Sequence, residues 1–196
     1  MKNKKSSSAS SIAMLAIFIA VMIVVQLLTQ IVYGIWPIPV QPTLMGVPVI
    51  IGSIILGPRM GAFLGFFMGL YSFVYSSLFP IVTSYWFTPL QPHGNFWSLV
   101  IAFLPRVLVG IIPYYVYQIF KNRLGAGLAG FAGAATNTVL VLGIAALAFQ
   151  TTNAGVLGAT FQQMVALIVG ANSIAEAVAA IIIAAAIVPI LEKIRD

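Results

Sequence analysis

The sequence contains no cysteine and very little charge. Three of its 196 residues are Asp or Glu, nine are Lys or Arg and one is His. Without cysteine there can be no disulfide framework, thiolate nucleophile or Cys-based metal site. Charged residues make up 6% of the chain, whereas soluble domains carry roughly 25% because a water-facing surface needs them. These scarcities exclude a soluble enzyme, a disordered chain and a nucleic-acid-binding module.

Long apolar runs occupy most of the chain instead. Hydrophobic residues make up 61% of it, and a helix that crosses a bilayer needs about 20 in succession. We predict six spans, at about 11–33, 43–56, 60–79, 97–120, 125–149 and 164–191. The second is short and contains Pro48. Because the runs are apolar on all sides, we expect helices and not barrel strands. The prediction is one all-α membrane domain of six transmembrane helices over residues 1–196, with a short basic tail at 1–10.

The cations fall on one side of these spans. Lys and Arg occur in the N-terminal tail, the 57–59 turn, the 121–123 loop and the C-terminal end, whereas the loops at 34–42, 80–96 and 150–163 have none. Positive charge marks the cytoplasmic side of a membrane protein. Both termini are therefore predicted to be cytoplasmic, and the three uncharged loops external.

Motifs for catalysis and for energy supply are missing from the sequence. It has no Gly-x-x-x-x-Gly-Lys-Ser/Thr phosphate loop, and its spans lack the paired Asp residues or the zinc-binding His-Glu-x-x-His helix that intramembrane proteolysis would need. The single histidine, His93, falls in an external loop. We expect no enzyme activity, no metal and no cofactor, so energy for uphill transport must come from a partner.

Four polar side chains are predicted inside the spans: Arg106, Asn137, Asn172 and Glu176. An ionisable group near the bilayer centre costs at least ~2.5 kcal/mol and usually faces a cavity or a partner. Counted at about 1.5 Å per residue, the four lie roughly 13–20 Å below the outer boundary. We interpret them as a polar cavity, open to the outside, for a small polar or anionic organic solute. The alternative is a structural Arg106–Glu176 pair with the asparagines as interhelical hydrogen-bonding groups.

Residues near the outer helix ends are candidates for the cavity walls: Tyr75, His93, Asn95 and Trp97. Small residues also recur at helical spacing, as Gly57, Gly61, Gly65 and Gly69 in and before the third span, and as Ala16 and Ala20 in the first. Such ridges let helices approach closely. Taken alone, both ridges predict internal packing.

Together these features resemble the substrate-binding (S) component of an energy-coupling-factor (ECF) vitamin transporter, over nearly the whole chain. The resemblance is carried by Ala16-Ile17-Phe18-Ile19-Ala20, by the Leu56-Gly57-Pro58-Arg59 hairpin, and by His93-Gly94-Asn95-Phe96-Trp97 followed by Pro105-Arg106. Among members, the pattern is most similar to those assigned to pantothenate.

The resemblance implies a vitamin-binding subunit of an importer that partners drive. Members take the vitamin from outside, associate with a membrane coupling (T) component and two cytosolic ATPases, and topple in the membrane. Ala16 and Ala20 would be the docking face for that module, and Arg106, Asn137 and Asn172 could serve the carboxylate, amide and hydroxyls of pantothenate. If Arg106 pairs with Glu176 instead, hydroxymethylpyrimidine or a B6 vitamer is the alternative substrate. A passive channel or facilitator is the alternative from another class.

Overall fold

A computed structural model describes residues 4–35, 43–81, 83–156, 165–166 and 173–195. Within these ranges the chain is helical and has no β-strand, which confirms the all-α prediction. The helices are α1 (Lys4–Ile35), α2 (Gly46–Leu56), α3 (Pro58–Leu78), α4 (Phe96–Val109), α5 (Ile112–Ile119), α6 (Arg123–Ala148), α7 (Gln150–Val156) and α8 (Ile174–Arg195), with a short 3-10 turn at Ser84–Trp86.

Five segments of the described chain are long and apolar enough to cross a membrane. They are Ser11–Val32, Pro58–Leu78, Phe96–Ile119, Arg123–Ala148 and Ile174–Ile194. The short apolar helix α2 adds to these five, so the described helices match the six predicted spans. The chain is a multi-pass membrane protein.

Helix α2 forms the centre of the bundle. Its 11 residues extend roughly 16 Å, shorter than a usual membrane span, and Val47 to Ile55 are all buried. Pro48 is tolerated because it lies in the first turn, where backbone N–H groups have no intrahelical partner. The helix ends at Gly57, whose φ of +92° is a conformation that side-chain-bearing residues rarely adopt. Pro58 then begins α3.

Three boundaries differ from the sequence prediction. Helix α1 begins at Lys4, so most of the predicted 1–10 tail is helical. The fourth span consists of two helices, and the chain turns between them at Gly110 and Ile111. The break occurs because Pro113 lacks the N–H that would continue the hydrogen-bond ladder, and because its ring crowds the preceding turn. Within the predicted 150–163 loop, residues 150–156 form α7.

Glycines bring α3 and α4 into backbone contact. A Cβ at Gly61 or Gly65 would overlap the carbonyl oxygen of Gly110 or Arg106, respectively, and one at Gly69 would lie 2.7 Å from the Ala102 oxygen. Gly61, Gly65 and Gly69 therefore pack internally, as predicted, whereas a Cβ at Gly57 would meet nothing within 4 Å.

The small residues of α1 have the opposite environment. Met22 enters the core, and Phe18 and Ile19 pack against it, but Ala16 and Ala20 are exposed. Ile12 and Ile17 beside them are 62% and 61% exposed. The expectation of internal packing is wrong for this ridge, because its face meets no other described helix.

Candidate functional site

A small cavity lies near the start of α2, where it meets α3, α6 and α8. Its polar lining comes from Thr43, Asn137 and Glu176, and its apolar lining includes Ile50 and Met68. The cavity measures about 20 Å³, room for roughly one water molecule. Two of the four polar residues predicted inside the spans thus share one cavity.

Glu176 lies in the first turn of α8 and is held by the segment that leads into α2. The backbone N–H of Thr43 donates to Glu176 Oε1 at 2.5 Å. A carboxylate that accepts a backbone N–H has part of its charge satisfied without a cation. Within the described ranges, Thr43 is the hydrogen-bond donor seen at this carboxylate.

Asn137 projects from α6 into the same cavity. Its amide oxygen is buried and has no hydrogen-bond partner within the described parts of the chain. A buried polar atom without a partner costs on the order of 1–3 kcal/mol. The structure therefore presents an acceptor beside Glu176 that a ligand or a water molecule could satisfy.

Arg106 is buried within α4, with 6% of its side chain exposed, and the sequence of the helix explains its position. Pro105 has no N–H to donate to the Ile101 carbonyl one turn earlier. The Arg106 guanidinium takes that place, as Nη1 donates to the Ile101 oxygen at 2.7 Å. Its Cζ also lies 4.8 Å from the centre of the Phe87 ring, within cation–π range.

The two interior charges do not form an ion pair. No Arg106 nitrogen lies within 4 Å of a Glu176 oxygen, although their charges attract each other at longer range. The guanidinium Nε is buried, and no described atom accepts its hydrogen. Because the acid does not neutralise the base directly, the structure disfavours the alternative of a structural Arg106–Glu176 pair.

A hydrogen-bonded cluster of Tyr85, Trp86 and Asn153, here called the outer cluster, joins the segment before α4 to α7. Asn153 Oδ1 accepts from the Tyr85 hydroxyl at 2.6 Å and from Trp86 Nε1 at 3.1 Å, while Nδ2 donates to the Ala145 oxygen at 2.9 Å. Burial raises the pKa of Tyr85 above its ordinary value, so the phenol stays protonated and donates at neutral pH.

The residues predicted for the cavity walls lie elsewhere. Tyr75 donates to Gln30 of α1 at 3.0 Å. His93 is exposed, with its ring 6.5 Å from that of Tyr85. Asn95 caps α4 by accepting from the Trp97 N–H at 2.8 Å, and Trp97 is 50% exposed. Asn172 falls outside the described residues.

The structure also shows functional groups that were not predicted from the sequence. The Thr43 donor is a backbone atom, so no residue type signals it, and the Phe87 contact depends on how an external loop folds. Gln26 carried a signal, because an amide inside an apolar span is costly. It is 7% exposed and its amide oxygen has no partner among described atoms.

The fold and the cavity together define a class. This is a helical, multi-pass membrane protein that keeps partly unsatisfied polar groups between its helices, where a small solute could bind. The described residues include no group of three or more His, Cys, Asp or Glu residues that could hold a metal ion.

Comparison with known proteins identifies the family. The model of the family described as "ECF transporter, substrate-specific component" matches residues 10–192. The chain belongs to this family, as its resemblance predicted, and the family is one of transporter components and not of enzymes.

Two curated relatives are similar over most of their length. The chain is 55% identical over 197 aligned positions to the pantothenic acid transporter PanT of Lactococcus lactis subsp. cremoris strain MG1363, covering 98% of each protein. It is 30% identical over 174 positions to the pantothenate transporter PanT of Leuconostoc mesenteroides subsp. mesenteroides, covering 78% of each.

Proposed function

We propose that this chain is the pantothenate-binding S component of an ECF importer. The observation that carries the proposal is its 55% identity, over 98% of its length, to a protein named as a pantothenic acid transporter. The chemistry of the interior is consistent with that substrate.

Pantothenate offers a carboxylate, an amide and two hydroxyl groups. Arg106 Nε–H is a buried donor, and Asn137 Oδ1 is a buried acceptor, each without a partner in the described part of the chain. We assign the vitamin carboxylate to Arg106, because a guanidinium grips a carboxylate through parallel hydrogen bonds. Asn137 and the second oxygen of Glu176 accept from the hydroxyl and amide groups.

Pantothenate does not fit the cavity in its present form. A ligand of this kind usually needs a pocket of at least about 300 Å³, against the 20 Å³ seen here. Arg106 is also not among the residues that line the cavity, so binding requires the walls to move apart.

Energy comes from outside the chain. We infer association with a membrane coupling (T) component and two cytosolic ATPases, as the family resemblance implies. The exposed Ala16 and Ala20 support a docking role for α1, because small residues allow a second helix to approach closely in lipid. Toppling of the loaded subunit would then carry the vitamin inward.

Titration of the purified protein tests the substrate assignment. Pantothenate should bind saturably, while hydroxymethylpyrimidine and pyridoxal should bind at least 100-fold more weakly. Tight binding of either ring compound and not of pantothenate would overturn the assignment. Liposomes that contain this chain alone should show no pantothenate flux, whereas a passive facilitator would show it.

A pair of arginine variants tests the site. Arg106→Met should weaken pantothenate binding several hundredfold, because it removes a desolvated charge contact worth several kcal/mol. Arg59→Met, at an exposed cation in the first turn of α3, should leave binding unchanged. Equal affinity in the two variants would place the carboxylate elsewhere.

A further inference from the structure

A second recess opens at the opposite end of α2 from the vitamin cavity. It has a volume of about 540 Å³, and its lining includes Leu56, Tyr117, Gln118, Lys121 and Glu192. We propose that it binds a zwitterionic headgroup carrying a phosphate and a primary amine, such as the phosphoethanolamine group of a phospholipid. The proposal is independent of the vitamin site.

The two cavities are separate. On α2 the lining of the vitamin cavity reaches Ile50 and that of the recess begins at Ile54, and the two linings share no residue. About one turn of α2, roughly 6 Å, therefore separates the nearest lining residues. The residues of that turn, Ile51 to Ser53, are buried, so the two linings form separate sites.

One wall of the recess carries charges of both signs. Lys121 offers an ammonium group, and Glu192 a carboxylate that is fixed by the Tyr117 hydroxyl, which donates to Oε2 at 2.5 Å. A purely anionic headgroup would be attracted by Lys121 and repelled by Glu192. A ligand with a phosphate and an ammonium group satisfies both, and a primary ammonium can also donate hydrogen bonds to the carboxylate, which a quaternary amine cannot.

Part of the lining is apolar. Leu56 at the end of α2 lines the recess together with the largely buried Ile54 and Ile55, and it provides an apolar contact for the glycerol and first acyl carbons of an amphiphile. Lys121 lies just beyond the span that ends at Ile119, on the side where the cations cluster. The recess is therefore at the predicted cytoplasmic boundary of the bilayer, the depth at which phospholipid headgroups lie.

Native mass spectrometry of the full chain in mixed-lipid nanodiscs tests the proposal. With equal amounts of phosphatidylethanolamine, phosphatidylcholine and phosphatidylglycerol present, the released protein should retain phosphatidylethanolamine about tenfold more than either other lipid. Lys121→Met and Glu192→Gln should each reduce this preference to less than twofold. Glu192→Gln keeps an acceptor for Tyr117, and retained pantothenate binding shows that the variants are folded.

Two neighbouring cations provide matched controls. Arg123→Met and Lys193→Met remove a charge close in sequence to each key residue, but neither side chain is among the lining residues. Both should keep the tenfold preference. Equal retention of the three lipids by the unmodified protein, or an undiminished preference in both Lys121→Met and Glu192→Gln, would overturn the proposal.

Soluble phosphoethanolamine distinguishes the source of the ligand. If it displaces the lipid at comparable concentration, the site takes a free zwitterion; if it does not, the acyl contacts matter and the ligand is a lipid. Either result upholds a zwitterion site. If the two recess variants lose capture by the coupling component while lipid retention is unchanged, the recess is a protein interface and the proposal is wrong.

Discussion

The glycines of α3 and the alanines of α1 follow the same every-fourth-residue spacing, yet the structure uses them differently. Gly61 and Gly65 let α4 approach until backbone meets backbone, whereas Ala16 and Ala20 remain exposed on the side of the bundle. A small-residue ridge thus predicts close helix packing without saying whether the second helix belongs to the same chain. The α3 ridge holds the binding subunit together, and the α1 ridge is available to a partner.

Gly65→Leu should have the largest effect, because it fills the glycine ridge by which α3 packs against α4. The new side chain would overlap the Arg106 carbonyl, and since backbone cannot repack as a side chain can, we expect almost no monodisperse protein after detergent extraction. Size-exclusion chromatography of a fluorescent fusion measures this. Gly143→Leu is the control, since a Cβ there meets nothing within 4 Å. Normal yield of both proteins would mean that the α3–α4 contact is not required.

Ala16→Trp tests the exposed alanine ridge of α1 and should impair transport without impairing pantothenate binding. Pantothenate affinity should stay within about twofold, because Ala16 is exposed, but uptake by the assembled transporter should fall at least tenfold as the bulky ring blocks close helix approach. Ile17→Trp, on a neighbouring face with 61% exposure, should reduce uptake less. Lost binding in Ala16→Trp would instead make this face part of the internal packing.

Pro105→Ala tests whether the proline of α4 positions the Arg106 guanidinium for binding. Alanine restores an N–H that can donate to the Ile101 carbonyl, and this competes with the Arg106 guanidinium that now occupies it. We expect pantothenate affinity to fall about tenfold with a normal yield of folded protein. Unchanged affinity, measured by calorimetry, would show that the proline does not govern the orientation of Arg106.

Gly127→Ala should have the smallest effect, because not every glycine between two helices brings their backbones into contact. This glycine also lies between helices, but a Cβ would be 3.4 Å from Ile181 Cγ2, a distance that small adjustments accommodate. The thermal midpoint should shift by only a few degrees, since the cost expected is below about 1 kcal/mol. A collapse like that expected for Gly65→Leu would mean that α6 and α8 tolerate no adjustment.

Much of the fold follows from the length of apolar helix that is needed to cross a bilayer. The segregation of cations to one side requires an even number of spans, which includes the short second one, and the structure places that span, α2, at the centre of the bundle. Hydropathy alone merged α4 and α5, although Pro113 marks the break. The α7 helix could not be predicted, because the packing of Asn153 against Tyr85 and Trp86 depends on segments far apart in sequence.

The candidate site was partly predictable from the cost of burying polar side chains in lipid. Asn137 and Glu176 were identified because polar groups within lipid need a partner or a cavity, and they line one cavity. The backbone donor of Thr43 has no counterpart in residue type. Loop residues such as Asn95 were poor candidates, because amides at the start of a helix often serve as caps, as Asn95 does here.

The most direct test of the central claim compares two asparagines by titration with pantothenate. If the vitamin binds in the interior cavity, Asn137→Ala should weaken binding by about 10- to 100-fold, since it removes the buried hydrogen bond that we propose between Asn137 and the vitamin. Asn95→Ala, which removes only the cap of α4, should stay within about threefold of the unmodified protein. The reverse order of effects would place the vitamin among the external loops and contradict the account.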